Sequence, residues 1–329
     1  MKSNFPAIEQ SSAPRIQSLL RVLCVSVVKM HLGGEKMPLE NNRRGVRVSA
    51  LHQSISKRQL RAATVVMAES FDDQFHLAAR YQPLARRAGI DARALFENPD
   101  IRIWRKLPDR ENGYLDLDDG AKHRWHIKRF PAAAARPLPA DEQAAAHQLI
   151  IDENIPTADL VGWGSLTDKR SFIIFDDLAG YTPADKLLET GYPFDQLLTA
   201  TATLAALLHT RGLHHRDLYL CHFMVRPEAP GDNNPDIRLI DTARVRPLRG
   251  IFGRGRWVVK DLAQFLYSTL ALPVTQAQRN AWLEHYCRQR GLPSDANLRG
   301  PVARKIKQIA RHDRKLRRAR PNRNVSIPT

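Results

Sequence analysis

The period of the hydrophobic pattern changes once along this chain, and that change limits the folds open to it. Between Ile101 and Phe130 three short apolar or alternating runs are parted by turn chemistry at Pro108 to Gly113 and Asp118 to Gly120, which reads as a meander of strands. An Ala-rich helical stretch follows over residues 140 to 153 and should stop before Pro156. Val161 to Trp163 and Ser171 to Phe175 flank the charged turn Asp168 to Arg170 and read as a second hairpin. After Asp176 and Asp177 the period becomes helical: Leu197, Thr201, Leu204 and Leu208 share one face, and Gly212 stands where a C-terminal cap belongs. The runs Leu262 to Leu270, Gln276 to Arg288 and Val302 to Leu316 are helical again. Strands first and helices later predict an α+β protein of two lobes, strand-rich and then helical, rather than the alternation of a Rossmann sheet.

At 329 residues and 43% hydrophobic content the chain can bury one two-lobed core or two small domains. The formal net charge of +17 invites a nucleic-acid or membrane reading, so its location matters. Residues 1 to 66 hold 11 Lys and Arg against 3 acids, and residues 301 to 329 hold 10 against 1. Everything from residue 67 to residue 300 is formally neutral, with 30 of each sign. The excess therefore sits in two tails, each suited to a solvated segment or to anionic lipid or RNA. From Met1 to about Val66 there is no sustained periodicity, which predicts a disordered or non-native basic extension, with Met67 as an alternative start. A folded domain over 67 to 300, its first lobe ending near 177, and a basic tail over 301 to 329 complete the expected organisation. Cys24, Cys221 and Cys287 suggest neither a disulfide framework nor a zinc site, which fits a reducing compartment. The apolar run Val22 to Val28 is too short to span a bilayer.

The chemistry is concentrated in His215, Arg216 and Asp217, inside HHRDLYLCHFMV, and in Asp241, further along the chain at the end of the apolar run IRLID. A lone His-Arg-Asp triplet is weak, since a salt-bridged turn explains it equally well. Here it follows a capped helix, precedes a strand-like FMV and is echoed by a second strand ending in Asp. Phosphoryl transfer needs two acids on separate loops: one orients and deprotonates the attacking hydroxyl, the other binds the Mg²⁺ that bridges the phosphates. Asp217 suits the first role and Asp241 the second.

The segments HRDLYLCHF, SFIIFDDL, KDLAQFLYS with the basic stretch before it, and ADEQAAAHQLIIDENIPT resemble those of the bacterial lipopolysaccharide kinase family, the core heptose and Kdo kinases. The resemblance covers about residues 101 to 290 and implies a protein-kinase-like fold. It further implies a cytoplasmic enzyme, peripheral at the inner membrane, that uses ATP with Mg²⁺, or with Mn²⁺, to phosphorylate a lipid-linked anionic glycan of the inner core.

Lys128, in the strand-like RWHIKRF, is the candidate for holding the α- and β-phosphates, with His126 and Phe130 on its face. Glu142 is its nearest carboxylate partner, although ungapped alignment on IPT places Gln143 at that position instead. The phosphate-covering loop should lie near Asp109 to Gly113, with one glycine where protein kinases have three. Beyond Asp217, at the place where protein kinases have a metal-binding Asn, stands His222, which suits a metal ligand, a phosphate contact or a packing residue. Arg244, Arg246, Arg254 and Arg256 belong to a basic run with no acid before Asp261 and are the candidate contacts of an anionic acceptor. Asp261 can cap the helix it opens or brace the catalytic loop.

Two other classes stay open. A small-molecule phosphotransferase of the same fold would share Lys128, Asp217 and Asp241, and a catalytically silent binding module would explain the missing glycines and His222. Binding to a specific nucleic acid is not expected.

Overall fold

The computed structural model describes residues 73–117, 123–134, 136–227 and 235–319, with the backbone alone for 251–254. All fall in one compact unit, Met67–Thr329. The expected basic extension over residues 1–66 lies outside the described residues.

The N-terminal lobe is a six-stranded antiparallel sheet in the order β1-β5-β6-β4-β3-β2. Its strands are β1 (Gln74–Leu77), β2 (Arg102–Leu107), β3 (Arg110–Leu117), β4 (His123–Phe130), β5 (Leu160–Ser165) and β6 (Ser171–Asp176). Alternation along β4 sends Trp125 and Ile127 into a core with Leu115, Phe172 and Ile174, which the short helices α1 (Gln82–Arg87) and α2 (Ala94–Glu97) cover. The other face carries Phe130 and Ile173, packed on Ala140 and Ala144 of α3 (Pro139–Asp152). Those alanines let α3 lie close to the sheet beside Lys128. Gly113 has a local reason: a Cβ there would come within 2.9 Å of the Arg102 carbonyl oxygen across the β2–β3 hairpin. It serves strand packing.

The second lobe begins with β7 (Thr182–Pro183) and α4 (Ala184–Glu189) and is built on α5 (Phe194–Thr210). Leu197, Thr201, Leu204 and Leu208 of α5 are buried, as their spacing predicts, and Gly212 takes the left-handed φ of 75° that ends the helix. β8 (Leu213–His214) pairs with β11 (Arg246–Pro247), and β9 (Phe223–Arg226) lies between β7 and β10 (Asp236–Leu239). The helices α6 (Ile251–Ser268), α7 (Gln276–Gln289) and α8 (Ala296–Ala319) complete the lobe. Its centre is aromatic: Trp282 stacks on Phe265 at 4.1 Å and donates from Nε1 to Thr201 Oγ1 at 3.0 Å.

Two expectations are corrected. The basic run before Asp261 is not a loop up to that residue, because α6 starts at Ile251, so Asp261 lies inside a helix and does not cap it. Residues 301 to 319 are not a free tail but most of α8, held against α6 by buried Val302 and by Tyr267 Oη, which donates to Asp313 Oδ2 at 2.8 Å. The charge count masked an amphipathic pattern whose apolar stripe, Val302, Ile306 and Ile309, joins the core.

Trp282→Ala should cost about 3–5 kcal/mol of unfolding free energy, because it leaves a cavity against Phe265 and removes the indole donor to Thr201 Oγ1. Urea titration of both proteins by tryptophan fluorescence and circular dichroism checks this.

Candidate active site

The loop between β8 and β9 is fixed by one buried carboxylate. Asp261 of α6 is fully buried and accepts the backbone N–H of His215 at 2.7 Å and of Arg216 at 2.8 Å. Burial opposes its charge, yet these bonds and the neighbouring His209 hold its carboxyl below the ordinary value. Arg216 is thereby kept at a left-handed φ of 71°, which turns the chain so that Asp217 faces the cleft. The Asp217 carbonyl accepts from Tyr219 N at 2.9 Å and from His222 Nδ1 at 2.7 Å, closing the turn. Of the two readings of Asp261, bracing is the one observed.

A second loop is stitched to the first. Ile240 N donates to the His222 carbonyl at 3.0 Å, and His215 Nε2 donates to the Ile240 carbonyl at 3.1 Å. Thr157 Oγ1, from the IPT segment, donates to the Leu239 carbonyl at 2.6 Å. The next turn places Asp241 at φ 56° and ψ 48°, a conformation that a non-glycine residue holds only where its surroundings demand it.

Across the lobes, Lys128 Nζ of β4 meets Asp241 Oδ1 at 2.9 Å. The Lys128 charge, despite burial, holds the Asp241 carboxyl far below the carboxylate range. His222 Nε2 lies 3.7 Å from Asp241 Oδ2. Burial opposes the imidazolium, but Cys221, the Asp241 charge and the Asp217 carbonyl outweigh it and raise His222 to about 9. Asp217 is met by Arg244, whose single Nη1 is shared between its two oxygens at 3.0 and 2.9 Å, and Gln264 Nε2 of α6 stands 3.4 Å from Oδ1.

These groups share a cavity of about 660 Å³ lined by Lys128, Glu142, Asp217, Asp241 and Arg244. Glu142 is exposed on its wall and makes no ion pair among the described residues, since Lys128 is taken by Asp241. Gln143 turns inward and is buried, with Nε2 unpartnered among the described residues. Of the other acceptor candidates, Arg246 is turned onto its own backbone, to the Val245 carbonyl at 2.7 Å, and exposed Arg256 lies over the Trp257 ring, so neither lines the cavity. The Arg254 side chain lies outside the described residues. Asp176 and Asp177, at the junction of the lobes, accept from Tyr81 Oη at 2.8 Å and from His126 Nε2 at 2.7 Å.

Sequence reasoning missed Arg110 at the β2–β3 hairpin, Tyr219, and the α8 residues His312, Asp313 and Arg317, all of which line the cavity. The available signal was Asp313, the single acid in the basic C-terminal stretch.

The residues fit a nucleotide with Mg²⁺. That ion usually takes only one or two protein carboxylates and completes its shell with phosphate and water, and the Asp241 carboxylate meets that need, while His222 could join only after losing its proton. Groups of three or more potential ligands are not found among the described residues. None of the helices among these residues is long and apolar enough to cross a membrane.

A family profile described as the lipopolysaccharide kinase (Kdo/WaaP) family matches residues 153–286. The lipopolysaccharide core heptose(I) kinase WaaP of Escherichia coli K12 is 29% identical over 227 residues, which cover 61% of this chain and 83% of that protein. The protein of the same name from Pseudomonas aeruginosa is 27% identical over 212 residues, covering 60% and 71%. A solved structure described as WaaP in complex with acyl carrier protein superposes with a TM-score of 0.56 at 22% identity, covering 72% of this chain and 99% of that one. The expected likeness to the lipopolysaccharide kinases and the two-lobed α+β kinase fold are both borne out.

His147 of α3 ties these loops to the first lobe: Thr242 Oγ1 donates to Nδ1 at 2.7 Å, and Nε2 donates to the Ala158 carbonyl at 2.9 Å. Burial pushes it from 6.5 down to about 4. A folded-state pKa below the unfolded one means that the unfolded chain takes up the proton first. The stability due to neutral His147 is therefore complete above 6.5 and is lost as pH falls toward 4. From pH 7 to pH 5 this one group should remove about 2 kcal/mol of unfolding free energy. His147→Gln should flatten that part of the pH slope, as read by urea titration at both pH values.

Proposed function

We propose that this kinase, which carries the lipopolysaccharide kinase signature across residues 153–286, transfers the γ-phosphoryl group of ATP to a sugar hydroxyl of the lipopolysaccharide inner core, on heptose or Kdo. The observation that carries the mechanism is the meeting of Lys128, Asp241 and Asp217 in one cleft, each brought there by a different segment of the chain.

Bound Mg²⁺ supplies neutralisation of the phosphate charge, and Asp241 would hold it, with His222 as a second ligand once its proton is lost. Lys128 would exchange its bond to Asp241 for the donor phosphates. Asp217 accepts the hydroxyl proton, and for that one of its oxygens must be released by Arg244 Nη1. An anion at the acceptor or donor offers Arg244 an equivalent partner, so binding of an anionic substrate would free the base. Arg244 thus keeps its expected part in recognising the acceptor, by a route that passes through Asp217.

The outward face of α8 presents Arg311, Arg314, Lys315 and Arg318 around a shallow groove. These residues, spaced three and four apart, form one stripe suited to an anionic membrane surface, where each basic group is worth about 1 kcal/mol. The relative of solved structure is described in complex with acyl carrier protein.

The deciding experiment is incubation of purified protein with labelled ATP and extracted core lipopolysaccharide, beside an aminoglycoside. Label on the core and none on the aminoglycoside supports the proposal, and the reverse assigns a small-molecule phosphotransferase. Asp217→Asn and Asp241→Asn should each lower transfer at least a hundredfold while leaving the circular dichroism spectrum and Tm nearly unchanged. With His222 as a ligand, Mn²⁺ should support turnover at least as well as Mg²⁺, and His222→Asn should shift the ratio toward Mg²⁺. Replacing Arg311, Arg314, Lys315 and Arg318 together by Ala should abolish flotation with anionic vesicles while keeping turnover on a soluble core fragment. Loss of both would place these residues in the catalytic unit.

A further inference from the structure

We infer that the inner face of α8, through Asp313 and Arg317, is the recognition wall for the acceptor, and that it selects a polyhydroxyl ligand bearing an anionic group. The inference rests on the kinase reading of the same cavity and names residues that reading does not use.

Helix α6 places Asp313 beside the transfer site. Gln264 Nε2 reaches Asp217 at 3.4 Å, and one turn further along the same face Tyr267 Oη reaches Asp313 at 2.8 Å. Tyr219 lies near both carboxylates, and burial, with these charges, raises its phenol above the ordinary value. Asp313 therefore stands on the Asp217 side of the cavity. Lys128 of β4 and Asp241 of the turn after β10, which mark the donor phosphates, meet each other elsewhere on the cavity wall.

The chemistry of Asp313 is unusual for a structural ion pair. The residue is only 8% exposed, and both of its bonds, from Tyr267 Oη and Arg317 Nε at 2.8 Å each, fall on Oδ2. Oδ1 has no partner among the described residues, and it is not sealed among the buried unpartnered atoms. The residue lines the cavity, so this oxygen is the one available to a ligand. Water in the cavity can reach this oxygen in the free protein, and a ligand hydroxyl would take the place of that water. On another part of the wall Gln143, 4% exposed, has a buried Nε2 with no partner among the described residues. The open acceptor of Asp313 matches a hydroxyl group, which donates to it, while the sealed Gln143 Nε2 offers a ligand no contact. Arg110, Arg244 and Arg317 line the same space and supply forks for a phosphate or carboxylate substituent.

Asp313→Asn tests this, because the amide oxygen can keep the Tyr267 and Arg317 bonds while the group offered to the cavity changes from acceptor to donor. Steady-state kinetics with ATP and a soluble core fragment should show KM for the acceptor raised about tenfold to a hundredfold, the scale of a charge-assisted hydrogen bond. KM for ATP and acceptor-free ATP hydrolysis should stay within about twofold. Leu316→Trp, which narrows the same wall while residue 313 stays Asp, should give the same split and serves if Asp313→Asn fails to fold. An unmoved acceptor KM in a folded variant, or an equal rise in both KM values, overturns the inference. Wild-type protein inactive on every core acceptor removes the kinase reading and this wall with it, whereas active wild type with unmoved variants removes the wall alone.

Discussion

The arrangement depends first on the buried carboxylate of Asp261. It has no exposure to water, and its two oxygens take consecutive backbone N–H groups from His215 and Arg216. A charge in that position is tolerable only because donors surround it, and the donors are in turn held where no ordinary turn would put them. The left-handed Arg216 that follows is strain stored at the site, and the helix carrying Asp261 is anchored by the stack of Phe265 on Trp282. The loop is thus as rigid as the aromatic core beneath it. Rigidity matters for phosphoryl transfer, where the protein contributes placement and charge more than covalent chemistry.

Charge pairing across the cleft describes a resting state. Lys128 neutralises Asp241, Arg244 pairs with Asp217, and His222 leans toward Asp241. Under the proposed function, each of these two carboxylates is matched by a cation that nucleotide or acceptor phosphates would compete for. An anionic substrate therefore redistributes existing ion pairs instead of creating charge in a dry site, which lowers the desolvation cost of binding. The exposed Glu142 and the inward Gln143 follow from the same pairing, since Asp241 already occupies the lysine.

Helix α8 joins the site to the outside. Its apolar stripe packs into the second lobe, Asp313 and Arg317 line the cavity, and Arg311, Arg314, Lys315 and Arg318 face outward. A single helix with three faces can orient the cavity mouth relative to whatever its basic stripe binds.

Much of this was legible in the sequence because it is local. The change of period from strands to helices, the buried spacing of Leu197, Thr201, Leu204 and Leu208, and two acids each ending a strand and turn are patterns that residues impose on their neighbours. His126 and Phe130 sharing a face with Lys128 is of the same kind. The partner of Lys128 was not legible: Glu142 is nearest in the chain, but Asp241 lies 113 residues away and wins because the lobes close on each other. Nor was the start of α6 at Ile251, where composition reads as a basic loop and packing against the second lobe makes a helix. The clearest case is α8. The helical run Val302 to Leu316 is read correctly from its period, but its crowd of Lys and Arg suggests a tail, whereas burial of Val302, Ile306 and Ile309 with the Tyr267–Asp313 bond holds it in the fold. Local sequence determines which elements form and which residues can do chemistry. Which of those residues meet is decided by contacts between distant segments, whose energies depend on a burial that exists only once the chain has closed.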